Sequence, residues 1–138
     1  MISVPPYTHF ADYDTYIRTI KSVILTYGAV TVIYAVYSDF ARLTEAVYIK
    51  QSNQFVGYHA VLLVGWVDDF HSPSYSGPIW IAKNSWGKYW GKSLSTWGFE
   101  GNTNGYFAVP MISEQEFNTH TCPNWKFEAR DMHTFQLP

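Results

Sequence analysis

Apolar side chains recur every three or four residues in the first part of the chain, the spacing that places them on one face of a helix. The repeating positions are Tyr13, Tyr16, Ile17, Ile20, Ile24 and Tyr27. Asp12 or Asp14 could cap the start of this helix, and Gly28 stands where a left-handed residue would end it. The pattern therefore predicts one helix over about residues 13–27.

Farther along, continuous runs of β-branched, aromatic and other apolar residues predict strands that are buried on both faces. The predicted strands are residues 29–37, 60–66, 79–83 and 105–109. Residues 38–50 are interpreted as a turn followed by a short strand at 46–49. Asp68 and Asp69 predict a turn, and the Ser, Pro and Gly of residues 70–78 predict a loop.

The remaining segments are less regular. Residues 97–104 are rich in Gly and Asn and are interpreted as an exposed excursion, and residues 111–138 as loop with some strand. The 138 residues show no internal repeat and fit one domain. The pattern as a whole predicts an α+β fold, with one N-terminal helix followed by a mostly antiparallel sheet.

Composition narrows the possible functions. Apolar residues make up 47% of the chain and charged residues 14%, which favours a packed core over disorder. Aromatic residues reach 19%, an excess that predicts a buried interface or a lined groove in addition to the core. The formal charge of −2 offers no basic patch for nucleic acid, and no apolar run approaches the roughly 20 residues of a membrane span.

The number of cysteines and the first residues of the chain narrow the possible functions further. The single cysteine, Cys122, excludes an internal disulfide framework and a cysteine-rich zinc site within these residues. The opening Met-Ile-Ser-Val-Pro-Pro has neither a basic nor an apolar stretch, so no signal peptide is predicted, and the compartment stays open.

Two short runs carry the strongest chemical signal. One is Gly-Tyr-His-Ala-Val-Leu-Leu-Val-Gly-Trp at residues 57–66, and the other is Trp-Ile-Ala-Lys-Asn-Ser-Trp-Gly at residues 80–87, followed by Trp-Gly and Gly-Tyr-Phe. Together they resemble the C-terminal lobe of papain-family cysteine peptidases, and the resemblance is strongest over residues 12–110. It implies a barrel-like antiparallel sheet with one helix, and it leaves residues 111–138 as a C-terminal extension.

The resemblance implies a catalytic pair, His59 and Asn84. In such enzymes a histidine of the first run is the base and acid for a cysteine nucleophile, and an asparagine of the second run orients its ring. A neutral amide can fix the tautomer of an imidazole without adding a charge. By the same resemblance, Trp86 would cover the bond between His59 and Asn84 and exclude water from it.

Four further positions are candidates for the substrate cleft: Trp90, Ile33, Gly57 and Tyr58. The resemblance places Trp90 beside the leaving part of the substrate and Ile33 in the main apolar pocket, although both could equally be packing residues. Gly57 and Tyr58 directly precede His59, and Tyr58 stands where many family members carry Asn or Asp. No metal and no organic cofactor is implied. Residues 68–78 and 92–104 are interpreted as loop insertions.

The nucleophile is the missing part. The resemblance calls for a cysteine at the start of a long helix, inside Gln-x-x-x-x-x-Cys-Gly-x-Cys-Trp, and no such segment occurs here. Cys122 lies between Thr121 and Pro123, without the helix start that lowers a thiol pKa. The chain by itself is therefore expected to be inactive, with the cysteine and the oxyanion hole supplied by another protein chain on the His59 face.

Two functions of different classes remain open. The chain could be the His/Asn-bearing lobe of a peptidase that hydrolyses peptide bonds once it is completed by a cysteine-bearing partner. Alternatively, it could be an inactive pseudo-peptidase lobe that serves as a structural or partner-binding module, since an exposed apolar cleft face would need a partner. Two further interpretations are that the chain occludes the cleft of another enzyme and that it is part of a longer polypeptide.

Overall fold

One long helix and a sheet of six strands make up most of the part of the chain that this computed structural model describes, namely residues 3–4, 7–43, 47–84, 105–120 and 133–136. The elements in chain order are β1 (Ser3–Val4), a 3-10 helix (Tyr7–His9), α1 (Tyr13–Tyr27), β2 (Val30–Tyr37), a second 3-10 helix (Phe40–Arg42), β3 (Phe55–His71), β4 (Ser76–Lys83), β5 (Tyr106–Pro110), α2 (Glu114–Thr119) and β6 (His133–Gln136). The α+β prediction is confirmed.

Helix α1 forms where the sequence predicts it, and both of its ends are capped. The Asp12 carboxylate accepts hydrogen bonds from the Thr15 backbone N–H at 2.8 Å and from the Thr15 hydroxyl at 2.9 Å. Gly28 adopts the left-handed conformation at φ 89°, and its N–H donates to the Ile24 carbonyl. None of the helices that the structure describes has the length and apolar character needed to cross a membrane.

The six described strands are ordered β1-β6-β2-β3-β4-β5. Neighbouring strands pair antiparallel, with Val30 opposite Leu63 in the β2–β3 ladder and Leu62 opposite Lys83 in the β3–β4 ladder. Helix α1 covers one face of this sheet with its buried side chains Tyr16, Ile17, Ile20 and Ile24. They pack against inward-facing strand residues, including Val30, Val32, Val61 and Leu63.

Two predictions about the connections were wrong. Asp68 and Asp69 do not form a turn, because they lie within β3 at a shift in the β3–β4 register between Val67 and Phe70. Residues 70–78 are not one loop, because β3 continues to His71 and β4 already begins at Ser76. The segment interpreted as a loop insertion at 68–78 is therefore mainly the tip of a long hairpin, closed by a short turn.

Residues 38–50 also differ from the prediction. The turn is followed by the 3-10 helix Phe40–Arg42, and the predicted strand at 46–49 is reduced to one parallel bridge between Val47 and Ala108. One further backbone bond, from the Tyr48 N–H to the Ala108 carbonyl, holds this segment beside β5. The segment thus packs along the last strand of the sheet without becoming another strand.

The C-terminal region contains a helix that the sequence analysis missed. Helix α2 begins at a capping box in which the Ser113 hydroxyl accepts from the Glu116 N–H and the Glu116 carboxylate accepts from the Ser113 N–H. The strand expected in this region is present as β6, which pairs between β1 and β2. The predicted excursion at 97–104 lies outside the described residues.

Candidate active site

His59 lies on the first part of β3, where the strand extends beyond its pairing with β4. Its backbone is registered opposite Tyr34 of β2, whereas the β3–β4 ladder starts three residues later, at Leu62. Side chains two residues apart on a strand point to the same face, so His59 shares the face of the buried Val61. The imidazole therefore stands at the end of the core, half-buried and anchored by the strand that carries it.

Asn84 follows directly on the last residue of β4 and is 3% exposed. Its backbone N–H donates to the Gly105 carbonyl at 3.0 Å, which fixes Asn84 through the β4–β5 pairing. Continuing the β3–β4 register by one residue places Asn84 beside Val61, so Asn84 and His59 are diagonal neighbours across two strands. The two side chains are thus brought together by the sheet itself.

A short hydrogen bond joins these two side chains. His59 Nε2 lies 2.7 Å from Asn84 Oδ1. Because an amide oxygen only accepts, the bond requires the proton on Nε2, and the neutral ring then carries its lone pair on Nδ1. The arrangement can therefore present Nδ1 as a base and stabilise the imidazolium that forms after proton transfer.

The structure describes only some of the other predicted site residues. Tyr58 is 67% exposed beside His59, and a Cβ added at Gly57 would meet nothing within 4 Å, so both border open space. The Ile33 backbone pairs with Ala60 in β2–β3, but the Ile33 side chain lies outside the described part of the structure, as do Trp86 and Trp90. The roles of these residues stay predictions.

A carboxylate-centred network holds the segment that leads into β3. Asp39 Oδ1 accepts from the Tyr48 hydroxyl at 2.7 Å, and Asp39 Oδ2 accepts from the Gln51 N–H at 2.7 Å. Burial, and then the bond to Asp39, raise the pKa of Tyr48 above its ordinary value, so its hydroxyl stays protonated as a donor. The network fixes where the strand carrying His59 begins.

Among the described residues, no three His, Cys, Asp or Glu side chains are grouped so that they could hold a metal ion.

One residue that supports Asn84 was not predicted from the sequence. Gly105 offers its carbonyl to Asn84, and its φ of 77° lies in the region that favours glycine. The Gly-Tyr-Phe run that begins at Gly105 was the available signal.

Comparison of the amino-acid sequence with known families and proteins identifies relatives of this chain. Residues 4–123 match the family model described as papain family cysteine protease. Cathepsin B-like cysteine proteinase 5 of Caenorhabditis elegans is 36% identical over 93 residues, which cover 67% of this chain and 22% of that protein. Cathepsin B-like CP2 of Giardia intestinalis is 35% identical over 85 residues, covering 62% of this chain and 27% of that protein. The matched segment is thus about a quarter of the length of these curated relatives.

Solved structures support the same fold. The proCathepsin B S9 structure from Trypanosoma congolense matches with a TM-score of 0.56 at 20% identity, covering 94% of this chain and 34% of that chain. A SERA5E structure from Plasmodium falciparum matches with a TM-score of 0.55 at 23% identity, covering 98% of this chain and 44% of that chain. At these identities the likeness concerns the fold alone.

Proposed function

Because this chain belongs to the papain family of cysteine proteases, we propose that it supplies the base and the orienting amide of a thiol peptidase site. His59 is the base and acid in this proposal, and Asn84 is the residue that orients it. The nucleophilic cysteine and the oxyanion donors come from outside these 138 residues. They belong to a partner chain or to another part of a longer polypeptide.

The observation that carries the proposal is the 2.7 Å bond between His59 Nε2 and Asn84 Oδ1. A histidine paired only for packing would need no fixed tautomer, whereas a general base must present a chosen nitrogen to its substrate. Here both partners are held by neighbouring strands, so the ring orientation is set before any substrate arrives. Such preorganisation is what a catalytic hydrogen bond requires.

The proposed reaction gives each of the two residues one role. Nδ1 of His59 takes the thiol proton, and the thiolate attacks the scissile carbonyl carbon. The imidazolium then gives its proton to the leaving amine, and a carbon–sulfur bond replaces the peptide bond. A water molecule, deprotonated by His59, hydrolyses the thioester and returns the cysteine. Asn84 Oδ1 holds the Nε2 proton throughout and prevents the ring from turning.

Activity labelling tests the proposal. The tagged chain is isolated together with its native partners and treated with an epoxide that alkylates activated cysteines. We expect a labelled cysteine on an associated polypeptide segment, and we expect His59→Ala to slow labelling by about a hundredfold or more, because it removes the base. Asn84→Ala should slow it by about tenfold to a hundredfold through misorientation of the ring.

Controls separate this function from a purely structural one. Tyr27→Ala removes an exposed tyrosine from α1 and should leave both labelling and assembly unchanged. Labelling that survives His59→Ala at the full rate would contradict the proposal. A stable assembly in which no cysteine is ever labelled would instead support the alternative of an inactive partner-binding lobe.

A further inference from the structure

Asn84 makes hydrogen bonds through its backbone as well as through its side chain. Asn84 Oδ1 lies 2.7 Å from His59 Nε2, and the Asn84 N–H donates to the Gly105 carbonyl at 3.0 Å. Asn84 and Gly105 are both buried, so little water competes for the backbone bond. A shift of the Asn84 backbone also moves its side chain, so the place of the amide oxygen depends on the bond to Gly105.

The bond to Gly105 lies at the end of the β4–β5 ladder. The last strand pair there is Lys83 opposite Tyr106, and Asn84 and Gly105 are the next residue on each chain. The end of a strand pair opens more readily than its middle, because fewer contacts surround it. A catalytic group at such a place needs contacts that keep the ladder closed, since a displacement of about 0.5 Å already matters in a catalytic pair.

One such contact crosses the last strand pair. Lys83 Nζ lies 5.6 Å from the centroid of the Tyr106 ring, a distance at which an ammonium group is attracted to a π face. Successive side chains of a strand point to opposite faces, so this pair lies on the sheet face opposite the Asn84 side chain. The cation–π pair therefore closes the end of the ladder without occupying the face on which Asn84 meets His59.

The backbone conformation of Gly105 is a second contribution. Its φ is 77°, in the left-handed region that a residue with a side chain adopts only at a cost. In a regular antiparallel strand φ is about −140°, so the chain turns at Gly105 as it enters β5. The Gly105 carbonyl shares its peptide plane with the Tyr106 nitrogen and stays in the ladder. Gly105 thus combines a sharp entry into β5 with a carbonyl that faces Asn84.

Gly28 provides a comparison within the same chain. It is also left-handed, at φ 89°, but it ends α1, where its N–H donates to the Ile24 carbonyl. A Cβ added at Gly28 would meet nothing within 4 Å. An alanine at either glycine strains the backbone in the same way. Only at Gly105 does that strain act on a group bonded to Asn84.

We propose that Gly105 and Tyr106, which together we call the β5 entry, position the catalytic pair. Gly105 holds the Asn84 N–H through its carbonyl, and Tyr106 keeps that end of the ladder closed through Lys83. Asn84 Oδ1 is thereby kept where it accepts the Nε2 proton of His59. The inference rests on the proposed function, and it adds two positioning residues that act on the base through Asn84.

Imidazole ¹⁵N NMR of the full 138-residue chain, at a pH where the ring is neutral, tests the β5 entry without turnover. Gly105→Ala should move the His59 signals towards a mixture of tautomers, as Asn84→Ala does, because the strained peptide turns out of the ladder. Gly28→Ala should leave these signals unchanged. Both glycine variants should lower the melting temperature by about 2–8 °C, so a lower stability by itself cannot explain the contrast.

A second pair of variants applies even where Gly105→Ala does not fold. Tyr106→Leu removes the ring beside Lys83, whereas Tyr106→Phe keeps a π face for the ammonium group. Exchange of the Asn84 N–H with deuterated solvent should be about two- to fivefold faster in Tyr106→Leu than in the parent chain. Tyr106→Phe should keep the parental rate. A merely space-filling role of the side chain would not distinguish an exchange rate restored by phenylalanine.

Activity labelling connects the β5 entry with the proposed function. In the assembly isolated with its native partners, Gly105→Ala should slow epoxide labelling by about three- to tenfold, less than His59→Ala does, because the base is misplaced but present. Gly28→Ala should leave the labelling rate unchanged.

Each result supports or overturns the proposal. Ring signals that stay unchanged in a folded Gly105→Ala, or that change equally in Gly28→Ala, would overturn it. Equal exchange rates in Tyr106→Leu and Tyr106→Phe would also overturn it. A tautomer shift in Gly105→Ala, together with an assembly in which no cysteine is ever labelled, would support the positioning role and reject the peptidase function.

Discussion

Two parts of β3 differ in burial although they belong to one strand. In the packed middle, residues 61–63, Val61 and Leu63 are 3% and 1% exposed and lie in the core beneath α1. In the open end, residues 55–60, Phe55, Val56 and Tyr58 are at least half exposed. His59 stands where the two meet. The comparison separates the residues of β3 that pack in the core from the exposed end, which leads into the proposed base His59.

The largest expected effect on stability lies in the packed middle. Leu63→Ala should lower the free energy of unfolding by about 3 kcal/mol, because it leaves a cavity that the core cannot close. The matched change in the open end, Tyr58→Ala, should alter it by less than about 0.5 kcal/mol. Urea unfolding of both variants measures the difference. Equal losses would contradict the division of β3 into two parts.

A smaller effect is expected where the two parts meet. A double-mutant cycle with His59→Ala and Asn84→Ala should give a coupling energy of about 1 kcal/mol, the usual net contribution of a hydrogen bond. The four proteins are compared by urea unfolding. Additive losses would mean that the bond contributes nothing to folding, and that each residue is held by other contacts alone.

The smallest effect is expected far from β3, at the start of α1. The backbone N–H of Thr15 and then its hydroxyl hold the pKa of Asp12 below the ordinary value of 3.8. The charged cap therefore stabilises the fold above about pH 4, and this contribution is lost as the pH falls through the lowered pKa. Asp12→Asn keeps a capping oxygen but removes the charge.

Thermal unfolding at pH 7 and at pH 2 checks this expectation. The melting temperature of Asp12→Asn should lie slightly below that of the parent chain at pH 7, and the difference should shrink towards pH 2 as the Asp12 carboxylate takes up its proton. A difference of the same size at both pH values would show that the charge has no part in capping. The conformation of the open end of β3 should not change in Asp12→Asn, because the cap lies at the start of α1.

Local signals predicted the parts of the fold that depend on short-range physics. The apolar spacing, Asp12 and Gly28 determine where α1 begins and ends, and the structure agrees. The capping box of Ser113 and Glu116 was an equally local signal for α2 that went unused. Asp68 and Asp69 were misread because turn propensity was outweighed by pairing within the hairpin of β3 and β4.

The candidate site was predictable for a different reason. Spacing alone could not join His59 to Asn84, which are 25 residues apart, and only the resemblance of their runs to a known family suggested the pair. The structure shows contacts that neither the residue spacing nor the family resemblance predicts. The register shift beside Val36 and the buried Lys50 depend on tertiary packing, so the ring contacts of Phe55 with Tyr37 and Tyr58 could not be predicted from the periodicity of β3.

The central claim is that Asn84 fixes the tautomer of His59, and ¹⁵N NMR of the imidazole tests it most directly. In the neutral ring, Nε2 should give the signal of a protonated nitrogen and Nδ1 that of an unprotonated nitrogen. Asn84→Ala should shift both signals towards a mixture of tautomers. A proton found on Nδ1 in the parent chain, or ring signals unchanged by Asn84→Ala, would contradict the account.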